Sequence, residues 1–171
     1  MESRAKVLGH AAHPILIVFP LGLLATAVIF DTIRLVTGDP KWSDVAFYMI
    51  GAGIVGGLVA AVPGLIDWLA IPKGTRARRV GLWHAVGNDI VLVLFAVSWW
   101  LRRGVTQPPH DPTTPALLLS YAGAGLSLLT GWLGGELIER LSVAVHEGAH
   151  LDAPNSLSGR PATEKATHDR R

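Results

Sequence analysis

The sequence lacks cysteine altogether and is poor in charged residues. Without cysteine it can form no disulfide, thiolate metal site or iron–sulfur cluster, and it has no attachment site for c-type haem. Only 16% of the residues are charged, whereas a soluble domain usually has about 25%. The basic residues flank apolar runs and form no separate basic face, so we do not expect nucleic acid as a partner. The low charge indicates a lipid bilayer as the main partner.

Half of the residues are hydrophobic, and they are concentrated in four runs. A helix needs about 20 apolar residues to cross the bilayer, and each run reaches that length. The first run has no small-residue cleavage site after it, so we expect a retained span and not a signal peptide. The sequence predicts an all-α protein, with a four-helix transmembrane bundle in residues 1–145 and a polar, disordered tail in residues 146–171. The predicted spans cover approximately residues 14–35, 45–71, 80–101 and 116–138.

Four spans bring both termini and the loop between spans two and three to one side of the membrane. Basic residues are more numerous on that side, and the positive-inside rule then predicts that both termini are cytoplasmic. The basic residues near the membrane are Arg4, Lys6, Lys73, Arg76, Arg78, Arg79 and Arg140 on the termini side, against Arg34, Lys41, Arg102 and Arg103 on the other.

Small residues recur at a spacing of four in the second and fourth runs. Such stripes let two helix backbones approach closely in lipid. We therefore expect spans two and four to form the tight helix pair of the bundle. The stripes are Gly53, Gly57 and Ala61 with Gly56, Ala60 and Gly64 in span two, and Gly123, Ser127, Gly131 and Gly135 in span four.

Three polar groups interrupt the third apolar run, at His84, Asn88 and Asp89. His84 and Asn88 are about one turn apart on the same helix face, and Asp89 is deeper and rotated by about 100°. An ionisable group at that depth usually faces the bundle interior and has a partner there. We therefore expect one polar pocket at the cytoplasmic ends of the helices. The other residues expected to line it are His10, His13, Asp67 and Glu136.

The start of the first span is predicted from two prolines. Proline favours the first helical position and disfavours helix for the residue before it, so we expect the helix to begin at Pro14, with His13 as its entry residue. Pro20 should bend the helix or leave a carbonyl free near the histidines. Near the far end, Asp31 and Arg34 are three residues apart and can pair.

Two imidazoles from facing helices are suitable axial ligands for a b-type haem. We expect His13 and His84 to bind haem b in this way, with His10 as a substitute for His13. The alternative cofactor is a divalent metal held by His13, His84 and Asp67. The residues expected to orient the imidazoles are Asp67, Asn88, Asp89 and Glu136. No group of residues indicates catalysis, so we expect at most a redox-linked module and assign no catalytic residue.

Two other functions fit the same residues. The polar layer can be a hydrogen-bonded network that fixes helix packing, which makes the protein a non-catalytic membrane scaffold or anchor. Alternatively, Asp89 can belong to a proton or ion pathway. Four short spans would form such a pathway only as a homo-oligomer, so the pathway hypothesis predicts self-association.

Several short motifs recur along the chain in one combined pattern: His13-Pro14, Phe19-Pro20, Asp31, Gly64, Asp67-Trp68, His84 and Gly134-Gly135-Glu136-Leu137. By this pattern the sequence, from about Gly9 to Val145, resembles the bacterial membrane family catalogued as domain of unknown function 2231. The resemblance implies a four-helix module in the bacterial cytoplasmic membrane. Some relatives resemble fusions with a Rieske-type iron–sulfur domain, which implies membrane electron transfer by analogy. This chain has no cysteine, so we expect its electron partner to be a separate protein.

Overall fold

The computed structural model describes residues 1–104 and 108–165, and four long helices dominate it. Each of the four is long and apolar enough to cross a membrane, which confirms the predicted all-α, four-helix transmembrane fold. Span one consists of α1 (Ala12–Leu16) and α2 (Val18–Thr37), span two is α3 (Lys41–Ala70), and span three is α4 (Arg76–Arg102). Span four is α5 (Thr114–Gly135), and a π-helical turn over Glu136–Arg140 extends it.

The first helix begins at Ala12, so the prediction that it starts at Pro14 is wrong. His13 and Pro14 lie in the first turn of the helix. A backbone N–H in that turn has no intrahelical acceptor, so the proline at position 14 costs no hydrogen bond. The helix is interrupted at Ile17, between α1 and α2. This break lies one turn before Pro20, which cannot donate to the carbonyl at that level. The backbone N–H groups of Ile17 and Leu21 still donate to the carbonyls of His13 and Ile17, and the bend expected from Pro20 stays a prediction.

The N-terminus and the start of the C-terminal tail lie at one end of the bundle, which we call the termini end. The amino group of Met1 donates a hydrogen bond to the Ser142 carbonyl at 2.7 Å. A small hairpin, β1 (Lys6–Val7) paired with β2 (His10–Ala11), covers this end. The prediction of a disordered tail covers residues 146–171, of which residues 166–171 lie outside the described part. Residues 146–165 form turns and a short 3-10 helix over Ser156–Ser158.

The tight helix pairs are one with two and three with four, which corrects the predicted pairing of spans two and four. Two of the buried glycines face the neighbour within their own pair, whereas Gly57 faces span three, where its Cβ atom would lie 2.5 Å from Leu92. A Cβ atom at Gly53 would lie 2.6 Å from Leu24, and one at Gly123 would lie 2.8 Å from Phe95. Gly131 and Gly135, which the predicted pairing required, have nothing within 4 Å of that position. The small-residue stripes therefore pack against spans that are adjacent in sequence.

The two helix pairs bury equivalent positions. Leu24, Ala27 and Asp31 are the buried residues of α2. Each lies 71 positions before a buried residue of span three, and these counterparts are Phe95, Ser98 and Arg102. In spans two and four the offset is 70, and the buried pairs are Ala46 and Ala116, Ile50 and Ser120, Gly53 and Gly123, Ala60 and Thr130, and Asp67 and Leu137.

The chain is therefore an internal repeat of two helical hairpins that pack about an approximate two-fold axis along the bundle. A residue that contacts its own counterpart must lie close to such an axis. Among the described residues, His13 contacts His84 at the termini end and Asp31 contacts Arg102 at the opposite end. Parallel repeats of this kind, related by an axis along the membrane normal, are a known architecture of membrane proteins.

Candidate functional site

The imidazole of His13 lies against span two. Its Nδ1–H donates to the Ala60 carbonyl at 2.8 Å, since a carbonyl oxygen can only accept. One turn further along span two is Gly64, where a Cβ atom would lie 2.8 Å from the same Nδ1. The absence of a side chain at Gly64 thus lets the ring reach the backbone. With Nδ1 protonated, Nε2 keeps its lone pair.

The imidazole of His84 lies against span four in the same way. Its Nδ1–H donates to the Thr130 carbonyl at 2.8 Å. One turn further is Gly134, where a Cβ atom would lie 3.1 Å from Cε1 of the ring. Each hairpin therefore carries one histidine, one backbone acceptor and one glycine, with the glycine four residues after the acceptor. The two-fold repeat reproduces the whole local arrangement, and not only the histidine.

The two rings meet at the axis. Their centroids are 6.1 Å apart and their planes are nearly perpendicular, at 87°. The expectation that these two histidines approach each other is confirmed. Each ring uses one nitrogen as a donor to a backbone carbonyl, so each retains one acceptor nitrogen. In the described chain Nε2 of His13 receives no hydrogen bond, whereas Nε2 of His84 has the Asn88 amide nitrogen 3.3 Å away.

Asn88 is the predicted orienting residue that does contact an imidazole. Its Nδ2 donates to the His84 carbonyl at 2.8 Å and lies 3.3 Å from His84 Nε2. Its Oδ1 accepts a 3.0 Å hydrogen bond from Thr130 Oγ1. Spans three and four are thus joined around His84 by a closed polar network. No corresponding network surrounds His13 in the described part of the chain, because Ile17 occupies the position that matches Asn88.

The carboxylate of Asp67 has other partners than the histidines. It accepts hydrogen bonds from Ser3 Oγ at 2.7 Å and from the backbone N–H groups of Arg4 and Ala5 at 2.6 and 3.2 Å. Asp67 is only 7% exposed, so these bonds compensate for its removal from solvent. Its predicted role beside the imidazoles is corrected: it holds the N-terminal segment against span two.

Two further predicted residues lie at the termini end but do not contact the histidine pair. Glu136 forms an ion pair with Arg76 at 2.6 Å, which joins spans three and four near the surface. His10 is exposed on β2, and its Nε2 is 3.2 Å from Ser156 Oγ. Neither geometry supports the expected roles, in which Glu136 orients an imidazole and His10 replaces His13 as a ligand.

Asp89 is exposed on the outer surface of the bundle. The prediction that it faces the interior is wrong, because the rotation of about 100° from Asn88 carries it past the neighbouring span to the outside. Among the described residues no cluster of three or more metal-ligating side chains occurs. The predicted set of His13, His84 and Asp67 is therefore not assembled, and the two imidazoles stand as a pair.

The sequence analysis missed the polar site at the opposite end. Arg102 donates to both oxygens of Asp31, at 2.6 and 2.7 Å, and both side chains are fully buried. Arg102 Nη2 also donates to Ser120 Oγ at 3.1 Å. The predicted pair of Asp31 with Arg34 is thus wrong, and Arg34 instead pairs with Asp111. The equal spacing of 71 from His13 to His84 and from Asp31 to Arg102 was the available signal.

A family model described as a predicted membrane protein, DUF2231, matches residues 9–147. The chain belongs to the DUF2231 family. The match covers all four spans and every residue of both on-axis pairs. No curated protein and no solved structure matches this chain. The family assignment therefore establishes a membrane protein and leaves its chemistry to be inferred from the site.

Proposed function

We propose that His13 and His84 together bind a metal centre, haem b or a single divalent ion, in a redox-linked membrane module. The observation that carries the proposal is the on-axis meeting of two imidazoles, each fixed through Nδ1 to a backbone carbonyl. Metal-bound histidines almost always donate their other N–H in this way, which fixes the ring and raises the basicity of the free nitrogen. The pair thus has the hydrogen bonding of metal ligands.

The spacing of the rings supports the same proposal. A metal–imidazole bond is about 2.0–2.1 Å long, so two rings that would hold one ion must lie close together. The observed separation is 6.1 Å. A haem iron held by two imidazoles supplies reversible one-electron exchange. The part of this chain is to hold the two rings, through Ala60 and Thr130, and to exclude bulk water.

The module would exchange electrons with a separate protein, because the chain has no cysteine for an iron–sulfur cluster of its own. We place the termini end on the cytoplasmic side of the bacterial inner membrane. The support is the excess of basic residues at that end. At the other end two of the four basic residues, Arg34 and Arg102, are bound to Asp111 and Asp31.

The test is an absorption spectrum combined with metal analysis of the full chain purified from membranes. We expect either a Soret band that shifts on reduction or a stoichiometric metal ion. His13→Leu and His84→Leu should each remove it, while the control His150→Leu, at an exposed tail position, should not. A wild-type protein without a Soret band after haem supplementation, and without bound metal, would contradict the proposal.

A structural role is the second candidate, and the closed network of His84, Asn88 and Thr130 favours it. In that case the polar layer fixes helix packing, and the protein is a membrane scaffold or anchor. His84→Leu then lowers the melting temperature in detergent and changes neither the spectrum nor the metal content. The two candidates therefore differ in a measurement other than stability.

A further inference from the structure

Asp89 carries a carboxyl group at the middle of a membrane-crossing helix. It is thirteen residues from Arg76 and thirteen from Arg102, the two ends of span three, or about 20 Å from each at 1.5 Å per residue. The carboxyl therefore lies near the midplane of a hydrocarbon core about 30 Å thick. It is exposed on the bundle surface, and it makes no hydrogen bond or ion pair with the residues that the structure describes.

The fold itself does not require this carboxyl group. The counterpart of Asp89 in the internal repeat is Val18, which is also on the outer surface, with 59% of its area exposed. The same position in the same hairpin architecture is thus filled by an apolar residue. A carboxylate that faces lipid at a helix centre is costly. A residue that is costly in lipid and unnecessary for packing indicates a contact outside the monomer.

The surface around Asp89 is otherwise apolar. A stripe of exposed side chains follows the outer face of span three at spacings of three and four residues, and Asp89 is its one polar member. A single polar residue within an apolar helix seam fixes the register and the number of helices that associate. We call this surface the span-three stripe; its members are Leu82, Val86, Asp89, Val93, Val97 and Trp100.

We propose that the span-three stripe is a homodimer interface in which the Asp89 carboxyl groups of two copies hydrogen-bond to each other. Copies inserted with the same topology carry Asp89 at the same depth, so a two-fold contact along this stripe brings the two groups together. Two protonated carboxyl groups form a reciprocal O–H···O pair that buries no net charge. A cationic partner helix would instead require two desolvated charges. In the described spans the other ionisable residues lie towards the helix ends, so a second copy offers Asp89 at this depth.

Cysteine cross-linking in native membranes tests this proposal, because the natural chain contains no cysteine. Val93→Cys places the only thiol on the span-three stripe, one turn after Asp89. Leu128→Cys places it on the outer face of span four and is the matched control, since both positions are exposed. Under mild oxidation we expect a disulfide-linked dimer from Val93→Cys and only a background level from Leu128→Cys.

Adding Asp89→Val to Val93→Cys should remove the dimer, and Asp89→Asn, which keeps a hydrogen-bonding group, should retain it. Valine is the residue that the repeat has at the counterpart position, so the variant should fold, and its melting temperature checks this. Loss of the pair should weaken dimerisation in detergent by about five- to thirty-fold. Equal cross-linking by the two cysteine variants, or a dimer that survives Asp89→Val, would overturn the proposal. Cross-linking of Val93→Cys to a different protein alone would overturn it in favour of a cationic partner.

Discussion

The two ends of the bundle place different chemistry at equivalent positions. At the opposite end the on-axis pair is Asp31 with Arg102, and at the termini end it is His13 with His84. Asp31 and Arg102 complement each other, and the Arg102 Nε is the one atom of the pair without a hydrogen bond in the described chain. The two histidines are identical, so each supplies the same kind of group to the other. One end is therefore closed by a complementary ion pair, and the other is not.

Removing one half of the closed pair should have the largest effect. Arg102→Leu leaves the fully buried carboxylate of Asp31 without its cation, and such a loss costs about 3–5 kcal/mol. The double variant Asp31→Leu, Arg102→Leu should be much less destabilised, because no unpaired charge stays buried. Thermal unfolding in detergent measures both. A double variant as unstable as the single one would show that the charge pair is not the source of the stability.

At the termini end, substitution of either member of the histidine pair should reduce stability less. His13→Leu and His84→Leu remove side chains that form no ion pair among the described residues, so we expect each to be less destabilising than Arg102→Leu. Asp67→Asn should instead release the N-terminal segment, since it weakens charged hydrogen bonds that contribute about 1.5–3 kcal/mol each. Limited proteolysis of residues 1–11 measures that release. Glu136→Gln is the control, because its ion pair with Arg76 is near the surface, and its digestion pattern should match the wild type.

The two glycines beneath the imidazoles test whether the rings are held as tightly as the distances indicate. A Cβ at Gly134 meets the His84 ring at 3.1 Å, whereas one at Gly131 meets nothing within 4 Å. We expect Gly134→Ala to destabilise by about 1–3 kcal/mol through overpacking and Gly131→Ala to be neutral or slightly stabilising. Melting temperatures distinguish them, and the histidine ring resonances should move only in Gly134→Ala. Identical behaviour of the two variants would mean that the His84 ring is loosely held.

The helices were predictable because the bilayer requires about 20 consecutive apolar residues, and four runs meet that requirement. The approach of His13 and His84 was predictable for the same reason, since topology alone brings those span ends together. The sequence did not predict which helices form the tight pairs. In lipid any apolar side chain can fill the surface of a helix, so the stripes in spans two and four do not specify which neighbour they face.

The hydrogen-bond and ion-pair partners of the acidic residues also could not be predicted from the sequence. Asp67 was assigned to the histidines because it lies at the same depth, but the N-terminal segment supplies nearer donors in Ser3, Arg4 and Ala5. Asp31 was paired with Arg34 by helical spacing, yet its partner comes from span three. The rotation of a helix about its own axis decided both cases, and it also turned Asp89 outwards. An apolar run predicts depth in the membrane and leaves that rotation open.

The smallest expected effect concerns the cover of the termini end. A hydrogen bond from Lys6, and then one from the backbone N–H of Glu147, hold the pKa of Glu2 below its ordinary value of 4.5. The folded state thus favours the carboxylate. Its contribution is complete above the ordinary pKa and disappears as the pH falls through the lowered value. We expect contact between the N-terminus and the tail to loosen over that range, as measured by hydrogen exchange, and Glu2→Gln to abolish the pH dependence.

At the opposite end Lys41 lowers the pKa of Asp39 in the same way, but the hydrogen bonds of Asp39 stay within one turn. Asp39→Asn should therefore leave exchange at the termini end unchanged, and an effect there would mean that the two ends are coupled through the bundle.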